Sequence, residues 1–374
     1  MNNVLDEIHK LRKGKTLTVD RSNTNRHRLV AQETEGKTAY YFSCPIYELE
    51  SRKLINISFT EGNNCYTAKG SNSNISVSKG CAILENQDGK VEIKLPEEEY
   101  QLVDDMLIAE THTVKVTCNG LKITQKSRFG NSGIIRIKTD RPFNTIRSNG
   151  KYFALMQDRF LPFATVSLIG IKHGNDLCPT SMSLQKEDSY NFYSHLNPRF
   201  KDDCEFVYEI SLYENKLIQD TTVETRNSRE NNVYGAISFL GNTDFLGEQW
   251  LYSKIDFPCL SELQGVNIKK AILHMPKIGG QDIDISAYGI TERFCSFGST
   301  WDTKVKETTE FSKASYAPPY YSLDLTQFIV DHMKNFLGGQ NGFILRNSKR
   351  HSGYTALGTA DSYSDPLILE IRYS

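Results

Sequence analysis

The chain has 374 residues and a formal net charge of −1, from 44 Lys and Arg against 45 Asp and Glu. No global field favours a nucleic acid or an anionic membrane surface, so neither is an expected partner. Hydrophobic residues at 39% suffice for a buried core, and 19 Tyr and 19 Phe against 6 Met favour strands.

At the N-terminus Val4, Leu5, Ile8 and Leu11 fall on one face, which predicts a short helical arm over residues 1–14, closed by Gly14. Such an arm can dock on a partner or on the chain's own body. Residues 1–30 hold seven Lys and Arg against three Asp and Glu. Without interleaved aromatics they read as a solvated or docking face. The start lacks the basic and apolar regions and cleavage site of a secretory signal. That predicts cytoplasmic synthesis, with the chain released or built into a virion-like or surface assembly. The longest apolar stretch, Phe160 to Ile171, is interrupted by Pro162 and falls short of the roughly 20 residues a bilayer needs. Membrane insertion is therefore not expected. The eight cysteines are scattered singly, with no Cys-x-x-Cys pair, which predicts free thiols and no structural zinc.

From Thr38 onward the pattern is that of strands. Ala39–Cys44, Leu54–Thr60, Ile75–Ser78, Val91–Leu95, Thr113–Cys118 and Gly133–Lys138 are the clearest, many alternating apolar with polar. Gln87-Asp-Gly and Asn119-Gly, each between two such runs, predict tight hairpins. Residues 15–203 therefore read as one antiparallel β-sandwich or barrel. Lys186 to Asp203 is polar and aromatic and reads as a boundary loop, with Tyr190, Phe192, Tyr193 and His195 as an aromatic interface within it. Near the C-terminus Leu325, Phe328, Ile329, His332, Met333 and Phe336 recur at three- and four-residue steps, predicting one amphipathic helix. Asp324 or Thr326 can cap it, Gly338 and Gly339 stop it, and His332 reads as a hydrogen-bonded core residue.

The C-terminal region, residues 204–374, carries marks in a fixed order. They are Asp220-Thr-Thr-Val, Asn232-Val-Tyr-Gly235, Phe239-Leu-Gly-Asn, Tyr252 to Pro258, Val266 to Met275 and Ile283 to Tyr288. Ser299-Thr-Trp-Asp302, Tyr321 to Val330, Asn341 to Leu345 and Pro366 to Tyr373 complete the series. From about residue 218 this order resembles the DNRLRE-type domain, a jelly-roll module akin to carbohydrate-binding modules. The usual helix tryptophan is Met333 or Phe336 here, and the acidic pair before the final proline appears as Asp361 and Asp365. The resemblance implies a jelly roll with one helix and a non-catalytic accessory or adhesive role, at bacterial or archaeal surfaces or in phage-like settings.

No catalytic residues can be assigned, since no nucleophile motif, phosphate-binding loop or His-Glu-x-x-His is present. Gly235, Gly241 and Gly247 sit among strand and turn residues and read as turns. Asp282 and Asp284 alternate along a predicted strand; they form a solvated face, a carboxylate pair for glycoside chemistry, or, with backbone carbonyls, a Ca²⁺ site. Calcium is the one cofactor under consideration. Trp301, Tyr316 and Tyr320 form either a sugar-binding platform or part of the core. The sequence thus predicts an all-β chain of two tandem antiparallel β-sandwiches. It is read as a structural or attachment protein, self-associating or bound to another structural protein. The alternative is a module recognising a polysaccharide through its C-terminal jelly roll.

Overall fold

The computed structural model describes residues 4–13, 15–20, 25–51, 53–148, 150–159, 161–334, 341–349 and 353–374. The fold is all-β. Its strands pair antiparallel throughout, and the described α-helices are Val4–Leu11 and Thr326–Lys334. Val4 and Ile8 of the first helix are fully buried, so the chain itself already covers much of that apolar stripe.

The chain forms two compact units, Met1–Glu7 with Ile46–Glu214, and Ile8–Pro45 with Asn215–Ser374. This grouping differs from the expected division into 15–203 and 204–374, and strand pairing is the reason. Cys204–Leu212 is bonded along both edges, to Gly120–Ser127 and to Pro162–His173, and so completes the first unit. The hairpin Arg28–Glu33 and Gly36–Phe42 is drawn into the second unit because Gly36–Phe42 pairs with the last strand, Ile368–Tyr373.

The first unit holds two sheets. One runs, in spatial order, Asn144–Ser148, Tyr152–Met156, Pro162–His173, Cys204–Leu212, Gly120–Ser127, His112–Val116, Met106–Ile108 and Gln101–Val103. The other runs Met182–Lys186, Asn191–Leu196, Gly133–Thr139, Gly89–Lys94, Cys81–Asn86, Asn74–Ser78, Cys65–Lys69 and Thr60–Gly62. Both predicted hairpins are present: Asn86 faces Gly89 across Gln87-Asp88, and Val116 faces Leu121. Two expectations are corrected. Leu54–Thr60 buries Ile55, Ile57 and Phe59 in alternation, yet it makes only a single bridge, Tyr47 to Leu54, before the strand that starts at Thr60. Asn191–Leu196, read as loop, is a strand paired on both sides.

In the second unit the ladder closes on itself. From Ile268–Gly280 it passes through Tyr320–Asp324, Glu307–Ala317, Ile285–Ile290 and Phe343–Asn347. It continues through Gly247–Ile255, Ile237–Thr243 and Gly353–Gly358, then returns to Lys277–Gly280 of the first strand. Ile218–Glu224 adds to Gly247–Ile255 from the side. Gly241 lies within a strand instead of a turn: its φ is +115°, and a Cβ there would lie 2.4 Å from the Gly353 carbonyl oxygen. Only glycine meets both demands.

The predicted C-terminal helix spans Thr326–Lys334. Asp324 accepts from the Thr326 N–H at 2.9 Å, while Thr326 Oγ1 accepts from the Ala271 N–H at 2.9 Å, tying the helix start to Ile268–Gly280. Leu325 and Ile329 enter the core, with Phe328 and Met333 packed against it. His332 Nδ1 lies 2.8 Å from the Phe328 carbonyl, and burial lowers its pKa. Phe336, Gly338 and Gly339 fall outside the described residues. Among the described cysteines, Cys44, Cys118 and Cys204 are buried and Cys295 is exposed.

His112, 5% exposed in the first unit, gives a pH-dependent term. Burial lowers its pKa to about 4, against a raising contribution from the Glu98 carboxylate. The unfolded chain takes up this proton near pH 6.5. Stability from this group is therefore complete above that pH and lost as pH falls towards 4, at up to about 1.4 kcal/mol per unit. Urea denaturation followed by circular dichroism at pH 7 and pH 5 should show a smaller loss in His112→Gln than in the unsubstituted chain. Equal losses would remove His112 as the cause.

Candidate functional site

Gly133–Thr139 has the cleanest alternation in the chain: Gly133, Ile135, Ile137 and Thr139 are buried while Ile134, Arg136 and Lys138 are exposed. A period of two with β-branched residues on one side dictates this, because successive side chains leave a strand on opposite faces. Register then assembles the exposed face. Arg136 stands opposite Lys94 on one side and Tyr193 on the other, and Tyr193 stands opposite Gln185. In the next row Lys138 lies between Glu92 and Asn191. Directly opposite residues on one face bring their Cβ atoms within about 5 Å.

These rows line an open groove of about 350 Å³, with Glu187 and Gly80 at its borders. The Tyr193 hydroxyl donates to Gln185 Oε1, and its ring meets His195 edge-on at 5.5 Å and 81°. Both contacts fix the tyrosine's orientation. Two cations facing each other across a ladder repel, so the Lys94–Arg136 pairing adds nothing to stability. Among the described residues neither side chain, nor Lys138, makes an ion pair. Against the carboxylates of Glu92 and Glu187 the face offers three cationic groups, an oriented aromatic ring and amide donors, a set with a net positive charge suited to an anionic, hydroxyl-rich ligand.

The residues singled out from sequence fall elsewhere, in the second unit. Trp301 is half-buried and tilts against Trp250 with ring centroids 4.8 Å apart. It packs on a cluster of Val223, Tyr252, Phe294 and Ile344. Lys304 Nζ lies 4.2 Å above the Trp301 ring and 4.9 Å above Trp250. On Trp250, Arg346 adds its guanidinium at 5.0 Å while ion-pairing with Glu307 at 2.8 Å. The tryptophans are thus stacked on cations of the chain itself. Tyr316 packs on Tyr321 at 4.6 Å beneath Lys277, and Tyr320 is 5% exposed with its ring edge-on to His274 at 6.0 Å. The hairpin brings Tyr316 and Tyr320 onto paired strands, whereas Trp301 belongs to the Trp250 cluster.

Asp282 and Asp284 follow the end of Ile268–Gly280 and precede Ile285–Ile290, so they lie in a connection and not on a strand face. Asp282 is paired with Lys277, and Asp284 with Lys349 at 2.5 Å; this lysine lowers the Asp284 pKa. Among the described residues no three His, Cys, Asp or Glu side chains gather as metal ligands. Sequence reasoning passed over Lys94, Arg136 and Lys138, and it placed Tyr193 in an aromatic interface on a loop instead of on a paired strand. The usable signal was the alternation of Phe192, Ser194 and Leu196 with Tyr193 and His195 inside a polar stretch.

Trp301→Ala distinguishes a packing role from an open platform. Loss of the ring contact should destabilise the second unit by about 1–3 kcal/mol and shift Trp250 emission to longer wavelength. Unchanged stability and emission would leave the ring as an exposed platform.

Comparison with known proteins adds little to this geometry. No family model and no curated protein matches the chain. Among solved structures, a heparan sulfate lyase HepC mutant from Pedobacter heparinus is similar at 9% identity and a TM-score of 0.22. The match covers 68% of this chain and 44% of that one, too slight a likeness to bear on fold or activity.

Proposed function

We propose that the chain is a non-catalytic attachment protein whose first unit holds an acidic polysaccharide on its exposed sheet face. One observation carries the reading: the row Gln185, Tyr193, Arg136 and Lys94, in which two like charges face each other across a ladder. A carboxylate or sulfate seated between them offsets their repulsion and accepts bidentately from the guanidinium. The Tyr193 ring supplies an apolar face for a sugar ring, and Gln185 and Asn191 supply amides for its hydroxyls. The second unit, through its resemblance to DNRLRE-type modules, serves as the accessory half.

Affinity electrophoresis against a panel of acidic and neutral polysaccharides tests this. At least one acidic polymer should retard the protein, and retardation should weaken with salt. Arg136→Ala and Lys94→Ala together should lower affinity by about tenfold or more, since charge-assisted bonds contribute about 1.5–3 kcal/mol each. Tyr193→Ala should weaken binding without altering its salt dependence. Retardation by neutral polymers alone, or binding indifferent to all three substitutions, would refute the assignment.

A further inference from the structure

The second unit buries three ionisable side chains together where the start of Ile218–Glu224 meets the turn after Gly353–Gly358. Lys216 lies two residues before the start of Ile218–Glu224, and Asp361 lies in the turn after Gly353–Gly358. Lys216 Nζ is 3.8 Å from Asp361 Oδ1, with the two side chains 4% and 8% exposed. Tyr363, itself 1% exposed, places its ring centroid 3.5 Å from the same nitrogen. Asp220, also 1% exposed, is held at this place by its Oδ2, which accepts from the Ala360 N–H at 2.7 Å. Among the described residues its other oxygen, Oδ1, has no hydrogen-bond partner. Leu217, Ile218 and Ala360 belong to the adjoining apolar core, while His27 lies within electrostatic reach of Lys216.

Two carboxylates and one ammonium cannot all remain charged in such a place. Burial first, then the nearby charge of Asp361, hold the Asp220 carboxyl well above the usual range, so of the three groups it is the one that keeps its proton most readily. The result is a lysine beside one carboxylate, with a neutral carboxylic acid anchored to the residue before that carboxylate. A buried ion pair of this kind is costly to desolvate. Conversion to an amide removes both charges from the interior.

We propose that Lys216 and Asp361 condense into an intramolecular isopeptide bond, with Asp220 as the proton carrier. The ammonium gives up a proton within the pair, and the Nζ lone pair attacks Asp361 Cγ. A C–N bond forms, one C–O bond breaks, and the oxygen departs as water. Asp220 donates a proton to the leaving hydroxyl and accepts one from the nitrogen, ending unchanged. Overall one ammonium and one carboxylate become one secondary amide and one water, with atoms and charge conserved and no co-reactant. The bond joins the segment leading into Ile218–Glu224 to the turn before Ile368–Tyr373. It does not depend on the glycan-binding reading.

Intact-mass spectrometry of the full chain tests the bond. The expected mass lies one water, about 18 Da, below that of the sequence. Proteolysis should release a branched peptide joining the segments that contain Lys216 and Asp361. Asp220→Asn should restore the full mass and abolish the branched peptide. A full sequence mass in the unsubstituted protein, or a water loss mapped to other residues, overturns the bond. Retention of the loss in Asp220→Asn overturns the part assigned to Asp220. Because the branched peptide is read on the unsubstituted chain, the bond is decided even where a variant fails to fold.

Discussion

Ile368–Tyr373 is held between strands from two distant parts of the sequence, Gly36–Phe42 on one side and Ile268–Gly280 on the other. Its register sets both faces of the second unit at this point. Leu369 stands between Tyr41 and Leu273, and Ile371 between Ala39 and Ala271, all in one core. A slip of one residue would send those side chains to the opposite face, where Glu370 now lies. That glutamate is 3% exposed and accepts from Arg372 Nε at 2.7 Å, with His274 Nε2 at 3.2 Å. Burial works against its charge, but His274 and Arg372 more than offset this and lower its pKa. The same strand therefore fixes an apolar core on one side and a buried charge on the other.

The interior of this unit is unusually polar for a closed ladder. Asp220, Thr222 and Glu224 project from one face of a single strand, each 1% exposed, opposite Ser253, Leu251 and Gln249. Gln249 donates to Glu224 at 2.5 Å, and Asn227 donates to the other carboxylate oxygen. Thr222, Ser238 and Ser253 bury hydroxyl oxygens that have no hydrogen-bond partner among the described residues. Each such group costs about 1–3 kcal/mol relative to a satisfied one. Thr222 and Ser253 lie on and opposite the strand Ile218–Glu224 that starts beside the Lys216 cluster, so part of this cost falls next to it.

Much of the fold was legible because burial imposes a period of two. Ile135 and Ile137 announced their strand, and the Gln87-Asp-Gly and Asn119-Gly turns announced their hairpins. Burial is not pairing, however. Ile55, Ile57 and Phe59 alternate as a strand would, yet their backbone finds almost no ladder. Conversely Asn191–Leu196 has too many polar and aromatic residues to stand out, and its neighbours on both sides hold it extended. The candidate groove was hidden for a different reason. Lys94, Arg136 and Tyr193 share a row only through the register of three strands, which no single stretch encodes. Asp220 and Asp361 were visible as family marks, but their nearness to Lys216 is a product of the fold.

The pairing of Gly36–Phe42 with Ile368–Tyr373 sets an order of events during translation. The hairpin emerges from the ribosome more than three hundred residues before the strand that completes it. First-unit residues 46–214 have all their ladder partners much sooner and can fold while synthesis continues. The hairpin's outer backbone groups and apolar residues must wait, exposed, until more than three hundred further residues have followed (37 to 373). Contacts so distant in sequence form slowly. The second unit is consequently the portion of this protein most dependent on protection from aggregation while the chain is being made.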